Sequence, residues 1–153
     1  MGLYALYSTV EGADGNGAFS PFDPEFGGQG GTAQTAAGST SPVLCSGGFV
    51  PPDQVATAVE AVVKLKTPQT GLPTASGSLR LKAEFIRNGN TVTQQGKGIS
   101  SDAQLGAALA FAGAQLVVDT SKTPNQITVQ VQAGGATPPA IAWQWQCAAP
   151  VSF

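Results

Sequence analysis

The stretch Ala140-Ile141-Ala142-Trp143-Gln144-Trp145-Gln146-Cys147 decides the reading of the fold. Ile141, Trp143, Trp145 and Cys147 share one parity, and Gln144 and Gln146 share the other. Side chains on a strand point alternately to opposite faces, so the stretch has one apolar face and one amide face. It holds both tryptophans of the chain. A sheet face carrying two indoles needs a second layer to cover it. The rest of the chain should therefore supply strands with a matching apolar face.

Ser78 to Asn88 is the clearest of these, with Leu79, Leu81, Ala83 and Phe85 on one side and Ser78, Arg80, Lys82 and Glu84 on the other. Asn88-Gly89 gives a two-residue hairpin signal. That register sets Arg87 opposite Asn90 and Phe85 opposite Val92. Gly89-Asn90 and Gly96-Lys97-Gly98 read as turn and bulge chemistry. Gln126 to Gln132 alternates strictly, with Ile127, Val129 and Val131 together. Val43 to Val50 reads as a short strand ended by Pro51-Pro52. Val55 to Lys66 fits a helix face through Val55, Ala58, Val59 and Val62, or a strand face through Val55, Thr57, Val59, Ala61, Val63 and Leu65. Its β-branched content favours the strand. Ser101 to Gly113 stays open between a helix, with a capping box at Ser101 and Gln104, and a strand through Leu105, Ala107, Leu109 and Phe111.

About six to eight short strands separated by turn signals describe an all-β protein, an antiparallel β-sandwich of jelly-roll type. The expected core is Leu79, Leu81, Phe85, Val92, Ile127, Val129, Val131, Ile141, Trp143 and Trp145. Residues 42–153 form this domain. Residues 1–41 read as an extended arm, rich in Gly and punctuated by Tyr4, Tyr7, Phe19, Phe22 and Phe26. Such a segment cannot build a core of its own, so its aromatic residues should pack on the domain or on a neighbouring subunit.

The 153 residues suit one domain with a real core. Charged residues make up 10% of the chain and hydrophobic ones 42%. A disordered chain shows the reverse bias. A neutral surface of amide, hydroxyl, Ala and Gly suits contact with other protein subunits. The net charge of -2 argues against nucleic acid as a partner. No apolar run approaches membrane-spanning length. Met1-Gly2-Leu3-Tyr4 lacks the basic start of a secretory signal, and Leu6 stands where myristoylation wants Ser or Thr, so synthesis in a cytoplasm is expected. Cys45 and Cys147 then read as buried thiols, with a disulfide as the alternative.

Charge is unevenly distributed. Through Asp53 every charged side chain is acidic, namely Glu11, Asp14, Asp23, Glu25 and Asp53. From Lys64 to Lys97 the bases Lys64, Lys66, Arg80, Lys82, Arg87 and Lys97 face one acid, Glu84. An acidic arm meeting a basic sheet face would give a specific contact, within a subunit or between subunits. The bland alternative is a solvated surface. The residues assigned to the contact are Tyr4, Tyr7, Phe19, Phe22, Phe26, Lys64, Lys66, Arg80 and Lys82.

Catalytic chemistry finds little support. The chain has no histidine, which removes the commonest general base and the histidine-dependent triads and zinc sites. A carboxylate pair among Asp14, Asp23, Glu25 and Asp53 has no visible frame to set its separation. Asp14-Gly15-Asn16-Gly17 begins like a calcium loop with Glu25 at its twelfth position, but Phe19 occupies the place of the sharp-turn glycine. No metal, cofactor or catalytic residue is assigned. Trp143 and Trp145 could stack on a sugar if exposed, but they share a face with Ile141 and Cys147, which places them in the core.

The segment Val118-Asp119-Thr120-Ser121-Lys122-Thr123-Pro124-Asn125-Gln126-Ile127-Thr128-Val129-Gln130 resembles a strand entry near the end of single jelly-roll structural proteins of tailed bacteriophages. The hairpin from Leu79 to Gln94 and the closing strand from Ala140 to Cys147 fall in similar places. The resemblance covers roughly the last half of the chain and leaves out the segment before Ser41. It implies a non-enzymatic virion component, a capsid decoration, head-fibre or tail-accessory protein that contacts other virion subunits as a homo-oligomer. A carbohydrate-binding or adhesin-like β-sandwich is the alternative.

Overall fold

A computed structural model describes residues 29–147 and 150–153. The chain runs through β1 (Gln29–Thr35), β2 (Val43–Leu44), β3 (Ala56–Thr67), β4 (Ala75–Asn88) and β5 (Thr91–Leu105). A 3-10 turn (Ala107–Leu109) follows, then β6 (Gly113–Asp119), β7 (Gln126–Gln132), β8 (Ile141–Cys147) and β9 (Val151–Ser152). The larger sheet has the order β1-β8-β3-β4-β5, and β9 continues along the β3 edge that β8 occupies. The smaller sheet has the order β2-β7-β6. Every pairing is antiparallel. The result is all-β and sandwich-like, with the inner faces of both sheets contributing to one apolar core.

The alternation in the sequence accounts for that core. Every residue expected there is buried, from Phe85, Ile127 and Trp145 at 0% exposure to Val92 at 5%. β3 takes the strand reading of its ambiguous segment. Thr57, Val59, Ala61, Val63 and Leu65 are buried, while Glu60, Lys64 and Lys66 are exposed. Trp143 and Trp145 fill the centre, and each indole N–H has an acceptor. Trp143 Nε1 donates to Thr35 Oγ1 at 3.0 Å, and Trp145 Nε1 donates to the Ser46 carbonyl at 3.3 Å. Burying an indole of about 200 Å² contributes at most about 5 kcal/mol. A stranded indole N–H would remove much of that gain. The acceptors come from β1 and from the chain leaving β2, so both sheets hold the tryptophan strand. β1 and that chain approach so closely that a Cβ on Gly31 would run into the Ser46 carbonyl.

Three expectations change. The hairpin between β4 and β5 turns on Gly89-Asn90, with Asn88 opposite Thr91, Arg87 opposite Val92 and Phe85 opposite Gln94. The register is thus two residues from the one that Asn88-Gly89 would set. Gly89 alone in the turn takes a positive φ, +64°, the pattern of a type II′ turn with Gly first. The reason is tertiary. Asp53 Oδ1 accepts from the Gly89 N–H at 2.9 Å, and the Gln54 N–H donates to the Arg87 carbonyl at 3.0 Å. Gln54 Nε2 donates to Asn88 Oδ1 at 2.8 Å, so the Asn88 side chain serves the 53–54 loop. A shift of two keeps side-chain parity, and Phe85 and Val92 both stay inside.

Ser101 to Gly113 is neither one helix nor one strand. β5 runs to Leu105, and the Gly106 N–H donates at 2.9 Å to the carbonyl of Ser76, at the start of β4. The 3-10 turn then inserts Leu109, at 1% exposure, while Phe111 is 77% exposed. A single strand would have put those two on one face. The Val43 to Val50 segment is also shorter than expected. Only Val43–Leu44 is strand, and Phe49 adds an isolated bridge to Ile127.

The stretch read as an arm is described from residue 29 onward, and there it is part of the sheet. β1 pairs with β8 from Gln29 opposite Cys147 to Thr35 opposite Ile141. Residues 1–28 lie outside the described residues.

Candidate interaction surface

The outer face of the larger sheet carries the bases assigned to an interface. β3 and β4 pair with Glu60 opposite Lys82, Val62 opposite Arg80, Lys64 opposite Ser78 and Lys66 opposite Ser76. Directly opposite residues share a face, so Lys64, Lys66, Arg80 and Lys82 are brought together. Toward the other edge, Lys64 lies opposite Gln144 and Lys66 opposite Ala142. Gln144 in turn lies opposite Thr32, and Ala142 opposite Gln34.

The electrostatics of this face are graded. Lys82 Nζ lies 4.0 Å from Glu60 Oε2, and Arg80 Nε lies 3.8 Å from Asp102 Oδ2. All four side chains are more than half exposed, so each pair contributes about 0–1 kcal/mol. Among the described residues no carboxylate comes within 4 Å of Lys64 or Lys66. The unbalanced positive charge therefore sits over β3, next to the uncharged amides of β8 and β1. A shallow groove of about 510 Å³ opens there, lined by Lys64, Lys66, Pro73, Ser76, Gln144 and Gln34 among others. Counting charges from Lys64 to Lys97 left Glu60 and Asp102 just outside the window. Strand register is the signal that brings them onto this face.

Tyr4, Tyr7, Phe19, Phe22 and Phe26 lie outside the described residues, as do Asp14, Asp23 and Glu25. The remaining carboxylate candidate, Asp53, has a structural task. The Gly89 N–H bond holds its carboxyl below the usual range, and the nearby Arg87 charge acts in the same direction. Asp119 is held low by the Ser121 hydroxyl at 2.6 Å and the Ser121 N–H at 3.0 Å, which shape the turn between β6 and β7. Cys45 and Cys147 are free and buried. Desolvation pushes the Cys45 thiol up to about 12. The Cys147 thiol is also raised by burial, an effect partly opposed by the Gln29 backbone N–H. Buried neutral thiols of this kind are poor nucleophiles.

Among the described residues there is no cluster of three or more His, Cys, Asp or Glu side chains able to hold a metal ion. No helix among them is long and apolar enough to cross a membrane. Trp143 and Trp145, at 2% and 0% exposure, offer no stacking surface to a ligand. Sequence reasoning also passed over Phe111, whose exposure depends on the chain path after β5. No protein-family model matches the chain, and no curated protein or solved structure matches it.

Proposed function

We propose that this chain is a non-enzymatic structural subunit of a tailed-bacteriophage virion, a capsid decoration, head-fibre or tail-accessory protein. It acts through protein–protein contacts as a homo-oligomer or lattice-bound subunit. The observation that carries the reading is the gathering of Lys64, Lys66, Arg80 and Lys82 on one exposed sheet face, with no described carboxylate within 4 Å of Lys64 or Lys66. The chain before β1 supplies a complement, since its charges, Glu11, Asp14, Asp23 and Glu25, are all acidic. Such complementarity steers an encounter and fixes its register. Tyr4, Tyr7, Phe19, Phe22 and Phe26 add the aromatic anchors that interfaces favour.

Strand pairing supports the jelly-roll part of the reading. A jelly roll wraps a long antiparallel hairpin, so its first strand pairs with its last and its second with the seventh. The pairs β1–β8, β2–β7 and β4–β5 follow that scheme. β3 departs from it by pairing with β4 and not with β6. The competing glycan reading takes its platform from Tyr4, Tyr7, Trp143 or Trp145. Trp143 and Trp145 are internal and offer none, and Tyr4 and Tyr7 lie outside the described residues.

Fractionating purified virions by layer and asking where the chain co-purifies at fixed stoichiometry tests the function. The assembly role is tested by removing residues 1–28, which leaves β1 and its bond to Trp143 in place. We expect a folded domain that no longer assembles or no longer binds the virion. If the segment serves its own domain, deletion lowers stability and leaves the sedimenting mass unchanged. A full-length chain that stays monomeric and binds neither purified capsids nor tails overturns the proposal.

A further inference from the structure

The outer face of the smaller sheet is chemically unlike that of the larger one. Leu44, Gln130 and Gln115 lie in one cross-strand row, and Gln132 lies opposite Gly113. A groove of about 490 Å³ opens on this face. Phe111, Gln115, Gln130, Gln132, Thr40 and Gly134 are among its lining residues, and no charged residue lines it. That volume falls within the usual range of small-molecule sites, roughly 300–1,000 Å³.

The aromatic ring in this groove is presented, not merely left over. Leu109 anchors the preceding 3-10 turn in the core, and Phe111 emerges at 77% exposure. The Phe111 backbone lies tightly against Gly134, where any side chain would collide with its carbonyl. Gly135 follows with φ +99°, and a Cβ there would stand 3.5 Å from Phe111 Cδ2. The two glycines thus support the ring without covering it. The amides beside it are oriented by single bonds. Gln115 Nε2 donates to Gln130 Oε1 at 3.0 Å, and Gln132 Nε2 donates to the Thr40 carbonyl at 2.8 Å. A primary amide has two donor hydrogens and an acceptor oxygen, so each keeps further capacity in both senses.

We propose that this groove binds a neutral glycan, with one pyranose ring stacked on Phe111 and its hydroxyls bonded to Gln115, Gln130 and Gln132. A pyranose has a C–H-rich face that packs on an aromatic ring and a rim of hydroxyls that both donate and accept. Oriented uncharged amides match that rim. An ionic ligand would call for opposite charge in the lining. A protein partner would call for more apolar surface than Phe111 and the partly exposed Leu44 supply. The site shares no residue with the basic face of the larger sheet, so it stands or falls apart from the virion role.

The full-length chain, labelled with ¹⁵N, is titrated with maltose, cellobiose, lactose and chitobiose, and the same chain is applied to an array of neutral glycans. The side-chain amide signals of Gln115, Gln130 and Gln132 should move saturably with at least one sugar, at a Kd of about 1 mM or tighter. Phe111→Ala should weaken that binding by about tenfold or more, equivalent to about 1.4 kcal/mol. Because the ring is exposed, the variant should keep the wild-type melting profile. Gln130→Ala should weaken binding as well, and Lys64→Ala on the other sheet should leave it unchanged. Absence of saturable binding on both panel and array overturns the proposal, and so does binding that survives Phe111→Ala. Loss of self-association or capsid binding in Phe111→Ala, without any sugar binding by the wild type, would make the groove a protein contact and also overturn it.

Discussion

β8 lies between β1 and β3 and hides Ile141, Trp143, Trp145 and Cys147, whereas β5 lies at the end of the same sheet and hides Val92 alone. β8 keeps unbroken ladders over the full length of its pairing with β1. β5 shifts register twice against β4. Between Lys82 opposite Ile99 and Glu84 opposite Gln95, two steps of β4 span four of β5, and Gly96 takes φ +70° there. Between Ser78 opposite Gln104 and Arg80 opposite Ser101, two steps span three, and Asp102 takes φ +50°. An odd insertion exchanges the faces of everything beyond it. Where a strand is covered on its inner face and paired on both edges, burial enforces alternation. Where one edge has no partner strand among the described residues, as on β5, bulges cost little and alternation fades.

The largest test of this contrast is truncation of an indole. Trp145→Ala should lower unfolding free energy in urea by about 3–5 kcal/mol, because it opens a cavity that the flanking strands cannot collapse into. A loss below about 1 kcal/mol would mean that the centre of the sandwich is not where β8 lies. Next in size is the bond that ties β1 to β8. Thr35→Ala removes the Trp143 Nε1 acceptor in a buried setting and should cost about 1–3 kcal/mol. Thr35→Ser keeps the hydroxyl and should cost clearly less. Equal losses for the two variants would show that the methyl group, not the bond, matters.

These differences explain what could be read from the sequence. The apolar faces of β3, β4, β7 and β8 were legible, since each buries its apolar parity, although on β7 Thr128 of the other parity is buried too, under the chain from Cys45 to Gly47. The gathering of Lys64, Lys66, Arg80 and Lys82 was legible for the same reason. A hairpin turn beside Asn88 was legible, but its placement on Gly89-Asn90 was not, because Asp53 and Gln54 reach it from elsewhere in the chain and the Arg87 side chain ties it to Pro51. The Arg87 guanidinium bonds the Gly89 and Pro51 carbonyls at 2.7 and 3.1 Å, a contact no local rule contains. Ser101 to Gly113 was ambiguous because its Ala-rich sequence satisfies both periodicities. The crossing from β5 to β6 settles it with a short turn. Phe111 is exposed for that reason, whereas the sequence left its segment open between a helix and a strand.

The hairpin turn also gives a pH dependence. The Gly89 N–H, aided by Arg87, holds Asp53 below the ordinary carboxylate range in the folded chain. The unfolded chain then binds the proton more readily. The contribution is fully present above the ordinary range and is lost as pH falls through the depressed folded value, below about pH 4. Asp119, lowered first by the Ser121 hydroxyl, adds in the same direction. Both carboxylates are exposed, so the effect is small. Asp53→Asn should flatten part of the fall in urea midpoint between neutral and acid pH, and the Gly89 amide shift in the wild type should report the low titration. A Gly89 shift that titrates at the ordinary aspartate value would separate the turn from the carboxylate.

The smallest expected effect lies on β5. Ile99 is 59% exposed on the outer face, opposite Lys82 and beside the Gly96 bulge. Most of its surface is already in water, and an edge strand interrupted by bulges has little packing to lose. Ile99→Ala should therefore change stability by less than about 0.5 kcal/mol, an order of magnitude below the Trp145 truncation. That expectation assumes nothing else lies over Ile99. Repeating the substitution in a chain lacking residues 1–28 separates the two sources of cover. A cost above about 1 kcal/mol in the full chain that vanishes in the shortened one would mean that the N-terminal segment protects this face. The same cost in both chains would mean that β5 is as tightly packed as β8, and the contrast between the two strands would fail.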